Sequence, residues 1–389
     1  YRCIMNINPK PRLIEPVFMI VLTGGPCAGK SSSLAYLTEK LSDHGFMVFV
    51  VPETATLITN SGIDRRKMDR SKQVSAYEEA IFDMQIAFED IYKDSVMKVF
   101  PDKKKVILLD RGIMDIKAFM DEKDFLDILK RKKITEMELR DRYNGVIHLI
   151  TAADGATEFY TNQNNPARIE TPEEAMEIDK KIRQCWLGHP RLKIIDNSTD
   201  FEGKLNRTFT AIANILGIPS PLPITERFLV ESFEEDMLPE HQTIHIEKIY
   251  LKSKNKNENE KIMIKKRGQN NRYLYFLSRK GLTEEDEILT EQEYLTLKRL
   301  MDPKTHILVK ERKCFFWSKQ YCELDIYKGE TDTLILKIEP LEGKTDNAHI
   351  EIPAFIKITK NITGIPEFDE DNMALNKRQK KTIYKNLLP

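Results

Sequence analysis

The stretch "VLTGGPCAGKSSSLAYL", residues 21–37, decides the first half of the fold: an apolar segment, a glycine-rich turn, then a helical pattern opening with Lys30 and Ser31. Gly24, Gly29, Lys30 and Ser31 satisfy the spacing G-x-x-x-x-G-K-[ST], and Val17 to Thr23 before them read as a short buried parallel strand. Glycines let a backbone pass close to an anion with its N–H groups turned inward. The helix that starts near Gly29 adds the positive end of its dipole. The spacing therefore predicts that Gly24, Gly25, Pro26, Cys27, Ala28, Gly29, Lys30, Ser31 and Ser32 cradle a nucleoside triphosphate, with Lys30 at the β- and γ-phosphates and Ser31 on Mg²⁺. An ordinary glycine turn between a strand and a helix is the bland alternative.

At 389 residues the chain is too long for one ordinary core, and two domains are expected. Hydrophobic content of 41% beside 31% charged residues is that of a soluble globular protein, and no apolar run approaches the ~18 residues of a membrane span. Basic and acidic side chains number 61 each and balance within each half as well, so no nucleic-acid partner is expected. Cys3, Cys27, Cys185, Cys314 and Cys322 contain no C-x-x-C pair, which argues against a zinc site or a disulfide framework and suits a reducing, cytoplasmic compartment. The first residue is Tyr1, so nothing is inferred about a targeting signal.

Downstream of the loop, "FMVFVV" (46–51), "KVILLD" (105–110), "GVIHLI" (145–150) and "LKIID" (192–196) read as further strands, separated by helical patterns at 71–98, 173–187 and 201–216. This predicts a five-stranded parallel α/β sheet with ligands at the carboxyl ends of the strands. Asp110 closes one strand, where a P-loop protein places the acid that orients Mg²⁺, and Arg111 follows it. A helix-capping aspartate is the alternative. Glu53 closes another strand and is a candidate base towards an acceptor hydroxyl, or a solvated loop acid. "NNPARIETPEEA" (164–175) has the position of a lid ahead of a helix that Thr171 caps and Pro172 begins. Its sole cation, Arg168, is a candidate for neutralising a transferring phosphoryl group, or else an exposed loop arginine.

"GGPCAGKSS", "VVPETA", "LLDRG", the lid stretch and "HPRLKIIDNSTDFEGKLNR" together resemble the AAA-type P-loop family related to the NadR kinase domain, with the deoxynucleoside and nucleotide kinases as wider kin. The resemblance implies acceptor contacts at Glu53, Asp110 and Arg111, and a base surrounded by Asn197, Ser198 and Thr199. An N-K-x-D guanine signature and an acceptor-pocket motif are both missing from the sequence.

The proline-dense "LGIPSPLPITERF" (216–228) reads as a linker, and beyond it the pattern turns to alternating strands at 243–251, 261–268, 272–280, 306–317, 320–329 and 333–340, with a helix near 290–302. "SKNKNENE" between the first two strands reads as a polar hairpin loop. Alternation puts Met263, Lys265 and Arg267 on one face, and likewise Lys310 with Arg312, Glu323 with Asp325, and Lys337 with Glu339. Such a face is either the solvent side of a half-open sheet or the lumen of a barrel.

The phrases "YLYFLSRK", "LVKERKCFFW", "ELDIYKG", "LKIEP" and "ITKNITG" resemble the CYTH, or triphosphate-tunnel, superfamily. That implies an α+β antiparallel tunnel barrel with anion contacts from Lys265, Arg267, Lys280, Lys310, Arg312 and Lys337. The enzymatic E-x-E-x-K is placed on His245, Glu247 and Ile249; paired arginines become Met263 and Lys265; and a late Glu becomes Lys337. With fewer carboxylates for a metal, this domain reads as binding rather than hydrolysing.

A NadR-like P-loop domain (17–217), a linker (218–228) and a CYTH-like domain (229–375) together resemble the TRPL translocation defect family over roughly 17–375; an extension (1–16) and a basic tail (376–389) lie outside the resemblance. This implies binding of GTP and phosphoinositides and a trafficking role at membranes. The leading expectation is a nucleotide-switched binding protein holding a purine triphosphate, GTP or ATP with GTP favoured by the resemblance, with Mg²⁺ in one domain and a polyphosphate or phosphoinositide in the other, in contact with a membrane surface or a protein partner. The alternatives are an ATP-dependent kinase of a nucleoside or nicotinamide riboside, with Glu53 as base; a structural subunit that retains nucleotide; and, least favoured, an inorganic triphosphatase.

Overall fold

Val17–Thr23 carries no charge and one hydroxyl, a composition suited to a strand covered on both faces. A computed structural model of the chain describes residues 16–63, 67–68, 72–160, 170–218, 225–252, 261–269, 272–280, 284–318, 320–329, 332–338 and 350–375. It divides into two units, Tyr1–Trp186 with Arg191–Ile218, and Leu187–Pro190 with Pro219–Pro389.

In the first unit the chain runs β1 (Val17–Thr23), α1 (Lys30–Asp43), β2 (Met47–Val51), α2 (Thr54–Asn60), α3 (Lys72–Val99), β3 (Lys105–Asp110), α4 (Glu122–Lys132), α5 (Glu136–Arg140), β4 (Gly145–Leu149), α6 (Pro172–Cys185), β5 (Leu192–Ile195) and α7 (Phe201–Leu216). The five strands lie in the order β2-β3-β1-β4-β5, all parallel. Ile20, Leu22, Val106, Leu108, Ile147 and Leu149 meet Leu34, Leu37 and Leu41 of α1 and Ala211, Ile212 and Leu216 of α7 in one apolar cluster. The 3.6-residue period of the two helices puts those side chains on one stripe. From β1 the chain crosses to one side, and from β3 to the other. The crevice between the carboxyl ends of β1 and β3 is therefore the switch point, and Leu22 stands beside Asp110 there. The cap read at Thr171 is present: its hydroxyl accepts from Glu174 N, Glu174 closes the box, and Pro172 is the first helical residue.

The second unit contains β6 (Glu226–Phe233), β7 (His241–Tyr250), β8 (Lys261–Gln269), β9 (Arg272–Lys280), β10 (Glu284–Leu289), α8 (Glu291–Lys298), β11 (Leu308–Trp317), β12 (Gln320–Lys328), β13 (Thr333–Ile338), β14 (Ile356–Asn361) and α9 (Glu370–Met373). They form a nine-stranded antiparallel sheet ordered β10-β9-β8-β7-β11-β12-β13-β6-β14. β6, β10 and β14 are strands that alternation did not single out. Two of them are sheet edges, where charged residues are tolerated because one side meets water. β6 begins at Glu226, so the last residues of the stretch read as linker belong to the sheet.

One parity of the sheet is apolar: Phe228, Val230, Cys322, Leu324, Leu336 and Ile338 pack with Phe355 and Ile356, while Ile249 and Ile264 pack under Tyr294 of α8. The other parity holds the charges and is buried rather than solvated, with Lys310 3% and Asp325 0% exposed. The register corrects the placement of the enzymatic pattern on β7. Lys310 pairs with Ile246 and Lys265 with Lys248, so Ile244, Ile246 and Lys248 face the charged side. Glu247 instead accepts from Tyr294 and Lys298 of α8, and Ile249 lies in the apolar cluster beneath that helix. A shift of one residue exchanges the two faces of a strand; the β7 residues beside the charged face are therefore Ile244, Ile246 and Lys248, not His245, Glu247 and Ile249.

Candidate functional site

Between β1 and α1 the backbone makes the tight turn the glycines allow. Gly24 has φ 143°, and a Cβ there would stand 2.1 Å from Leu149 O. Gly29, at φ 87°, caps α1 with no side-chain bond, and the first turn of α1 contains no acid, so its leading N–H groups are open to an anion. Cys27 also adopts a left-handed φ of 54°, an uncommon conformation for a residue with a Cβ. Ala28 is buried, while Ser31 and Ser32 are exposed at the start of the helix.

Lys30 folds back over the loop and donates to Gly24 O at 3.0 Å and Gly25 O at 3.1 Å. Burial, together with neighbouring Arg111, lowers its ammonium to about 8 against the opposing carboxylates of Asp110 and Glu53. Asp110 ends β3. Burial raises its carboxyl more than Lys30 lowers it, and its Oδ1 is buried with no hydrogen-bond partner. A buried carboxylate oxygen without a donor, interacting electrostatically with the P-loop Lys30 that precedes Ser31, fits a hydrated Mg²⁺. Ser31 and Asp110 are the residues that would hold it, and the ion would neutralise phosphate charge.

Arg111 has φ 72°, a strained position for a long side chain. Its Nε donates to Glu53 Oε1 at 2.5 Å, its Nη1 to Gly24 O at 3.3 Å, and Asp115 Oδ2 lies 3.7 Å away. Burial opposes the charge on Arg111, but Glu53, Asp115 and Asp110 overcome it and raise its pKa. Glu53 is held at about 2: Arg111 and Lys30, with the Thr56 hydroxyl, outweigh the cost of burial. Asp115 is buried; it accepts from Thr23 Oγ1 at 2.7 Å and Trp186 Nε1 at 2.6 Å, and its pKa is raised chiefly by burial.

A cavity of about 310 Å³ opens from this corner. Glu53, Arg111 and Asp115 form its polar end, beside Pro26. Tyr77, Ile81, Ile116, Phe119 and Ile178 form apolar walls, with Gln85, Glu78 and Glu170 among them. Gln85 bonds Thr54 and donates to Glu89 Oε1 at 2.8 Å, fixing its amide behind the wall. Apolar walls converging on a few placed polar groups are the usual build of a small-molecule site.

The loop's outer side is braced by residues that motif reading missed. Asp179 of α6 accepts from Gly25 N at 2.8 Å and Thr151 N at 3.2 Å and pairs with His148 at 3.1 Å. Burial raises the Asp179 carboxyl, but His148 and Gly25 N–H outweigh it and hold it at about 2. Thr151 Oγ1 donates to Pro26 O. The available signal is that Asp179 sits on the apolar stripe of α6 with Ala175 and Ile182, where a charge needs partners. Asn197, expected around a base, donates to Thr151 O at 2.7 Å and Asp154 O at 2.8 Å and accepts from Lys204. It braces the loop after β4, and Ser198 turns its hydroxyl to Asp196. Thr199 Oγ1 donates to Asp200 O and accepts from Arg207. Arg168 lies outside the described residues.

Residues 19–204 match the family model described as an AAA domain. The match spans the P-loop, Asp110 and Asp179. None of the curated proteins matches the chain. Among solved structures, the inorganic triphosphatase NE1496 is 18% identical with a TM-score of 0.33, covering 40% of this chain and 97% of that one. The PH1819 protein from Pyrococcus horikoshii OT3 is 20% identical with a TM-score of 0.25, covering 31% of this chain and 79% of its own.

In the second unit three of the six cations expected to hold an anion, Lys310, Arg312 and Lys337, already have carboxylate partners. Arg312 donates to Asp325 at 2.6 Å and pairs with Glu323 at 2.6 Å; Lys310 reaches Asp325 at 2.8 Å; Lys337 reaches Asp325 at 3.0 Å. Lys265 lies over the ring of Phe276, Arg267 is buried, and the Lys280 side chain is outside the described residues. Among the described residues no group of three or more His, Cys, Asp or Glu side chains is placed to hold a metal ion, and no helix is long and apolar enough to cross a membrane.

Proposed function

We propose that the first unit binds a Mg²⁺-nucleoside triphosphate and transfers its terminal phosphoryl group to a hydroxyl of a small acceptor. The observation that carries this reading is the cavity whose polar end, Glu53 and Arg111, adjoins the phosphate loop. A switch that only bound and released nucleotide would have no use for a second pocket there. Lys30 and the loop N–H groups hold the phosphates, Ser31 and Asp110 hold the metal, and Arg111 leaves Glu53 for the phosphoryl oxygens. Glu53, freed of that pairing, rises from about 2 towards the range of a working base and takes the acceptor proton as the new P–O bond forms and the nucleoside diphosphate leaves. Apolar and aromatic walls suit a planar ring bearing a hydroxyl arm, the shape of a nucleoside.

The low pKa of Glu53 is the observation that favours the second reading, a nucleotide switch of GTP or ATP that performs no transfer. In either reading the second unit serves as a binding module for a polyphosphate or phosphoinositide, supported by its buried cationic face. The test is nucleotide identification in the denatured protein, followed by turnover assays with a panel of nucleosides on wild type and Glu53→Gln. Acceptor-dependent diphosphate release lost in the variant supports transfer. Tight binding with no acceptor stimulation of wild type refutes it and leaves the switch.

A further inference from the structure

Three consecutive acids, Asp369, Glu370 and Asp371, reach cations on four different strands. Arg227 of β6 donates to Asp369 Oδ1 at 2.7 Å, and Lys261 of β8 bonds Asp371. Glu370 goes deepest: it accepts from Lys310 of β11 at 2.5 Å, from the Tyr327 hydroxyl of β12 at 2.8 Å, and from Lys248 of β7. The donors come from side chains of neighbouring strands and converge on one oxyanion. The acids lie on a short segment anchored by apolar contacts. Ile362 and its neighbours Ile365, Phe368 and Met373 pack with Tyr327 and Ile335 of the charged face, and Ala374 packs with Tyr250 and Leu308.

We propose that Glu370 is an intramolecular occupant of an oxyanion site on this sheet, and that a phosphate-bearing ligand takes the site when the segment carrying it withdraws. The proposal rests on the reading of the second unit as a polyanion-binding module. Two ammonium groups and a phenol hydroxyl around two carboxylate oxygens form the donor set a terminal phosphate needs, and a buried cation without an anion is costly, so the site does not stand empty. Four cations of this cluster, Lys248, Lys310, Arg312 and Lys337, share three carboxylates, Glu323, Asp325 and Glu370. A ligand with more than one negative charge satisfies this cluster better than a single carboxylate does.

The test uses the full chain as wild type, Glu370→Ala, and the isosteric Glu370→Gln in case the first variant fails to fold. Tripolyphosphate is titrated calorimetrically at constant ionic strength, and amide exchange across residues 363–375 is followed with and without it. The expected result is affinity on the order of tenfold tighter in the variants and faster exchange of that segment in wild type on saturation, as for a competitor removed from its site. Vesicles of phosphatidylcholine with and without a phosphatidylinositol bisphosphate distinguish the source of the phosphate: binding to those vesicles alone assigns a lipid headgroup, and binding of free tripolyphosphate as well assigns a soluble oligophosphate. Equal affinity in wild type and variants with unchanged exchange overturns the occupant role while leaving the polyanion reading standing. No binding of either probe by any folded variant overturns both.

Discussion

Glu89 of α3 lies behind the cavity with its carboxyl enclosed. Oε1 accepts from Gln85 Nε2 at 2.8 Å and from the Tyr143 hydroxyl at 2.7 Å, and Arg142 Nε stands 3.0 Å from Oε2. Burial nevertheless pushes the group from 4.5 up to about 7, beyond the opposing pull of Arg142. Between these two values the folded chain keeps a proton that the unfolded chain has released. The contribution of Glu89 is therefore most favourable below about 4.5, diminishes as pH rises towards about 7, and is least favourable above. The separation corresponds to roughly 3 kcal/mol. Glu89→Gln fixes the uncharged form while keeping an acceptor for Tyr143. Urea denaturation of both proteins from about pH 5 to about pH 8 should find them close at the acid end and the variant more stable by roughly 3 kcal/mol at the alkaline end. Parallel stability profiles for the two proteins would refute the argument, because every other titrating group is common to both.

Lys30→Ala removes a cation expected at the β- and γ-phosphates and should weaken nucleotide binding by about 3 kcal/mol or more, over a hundredfold, with little change in melting temperature; an unchanged Kd by calorimetry would remove Lys30 from the site. Because Lys30 is lowered to about 8 in the free protein, wild-type affinity should also fall as pH rises through that value, and the variant should lack this slope. Asp110→Asn relieves a buried carboxylate that has no donor on Oδ1, so the free protein should melt no lower than wild type while the tightening of nucleotide binding by Mg²⁺ disappears; undiminished Mg²⁺ dependence would contradict the metal assignment. Thr171→Ala removes the capping hydroxyl of α6 and should cost about 1 kcal/mol in denaturant unfolding, with no loss expected if the box contributed nothing.

The sequence by itself determined the parallel sheet, the phosphate loop and the Thr171 cap. Each depends on neighbours within a few residues: an apolar run long enough for a strand, glycines where the backbone turns, and a hydroxyl three positions before a glutamate. It also brought Asp110 and Arg111 to a strand end, since that is local, but their partners come from elsewhere in the chain. Glu53 arrives from the end of β2, Asp179 from α6, and the cavity walls from α3 and the turn after β3. Only the tertiary structure decided which face of β7 meets the charges, because alternation reports two faces without saying which is covered, and one residue of register separates Glu247 from Lys248. It likewise decided that Lys310, Arg312 and Lys337 are paired with carboxylates. Charge pairing through space costs nothing in sequence proximity, and Glu370 lies sixty positions beyond the Lys310 it neutralises.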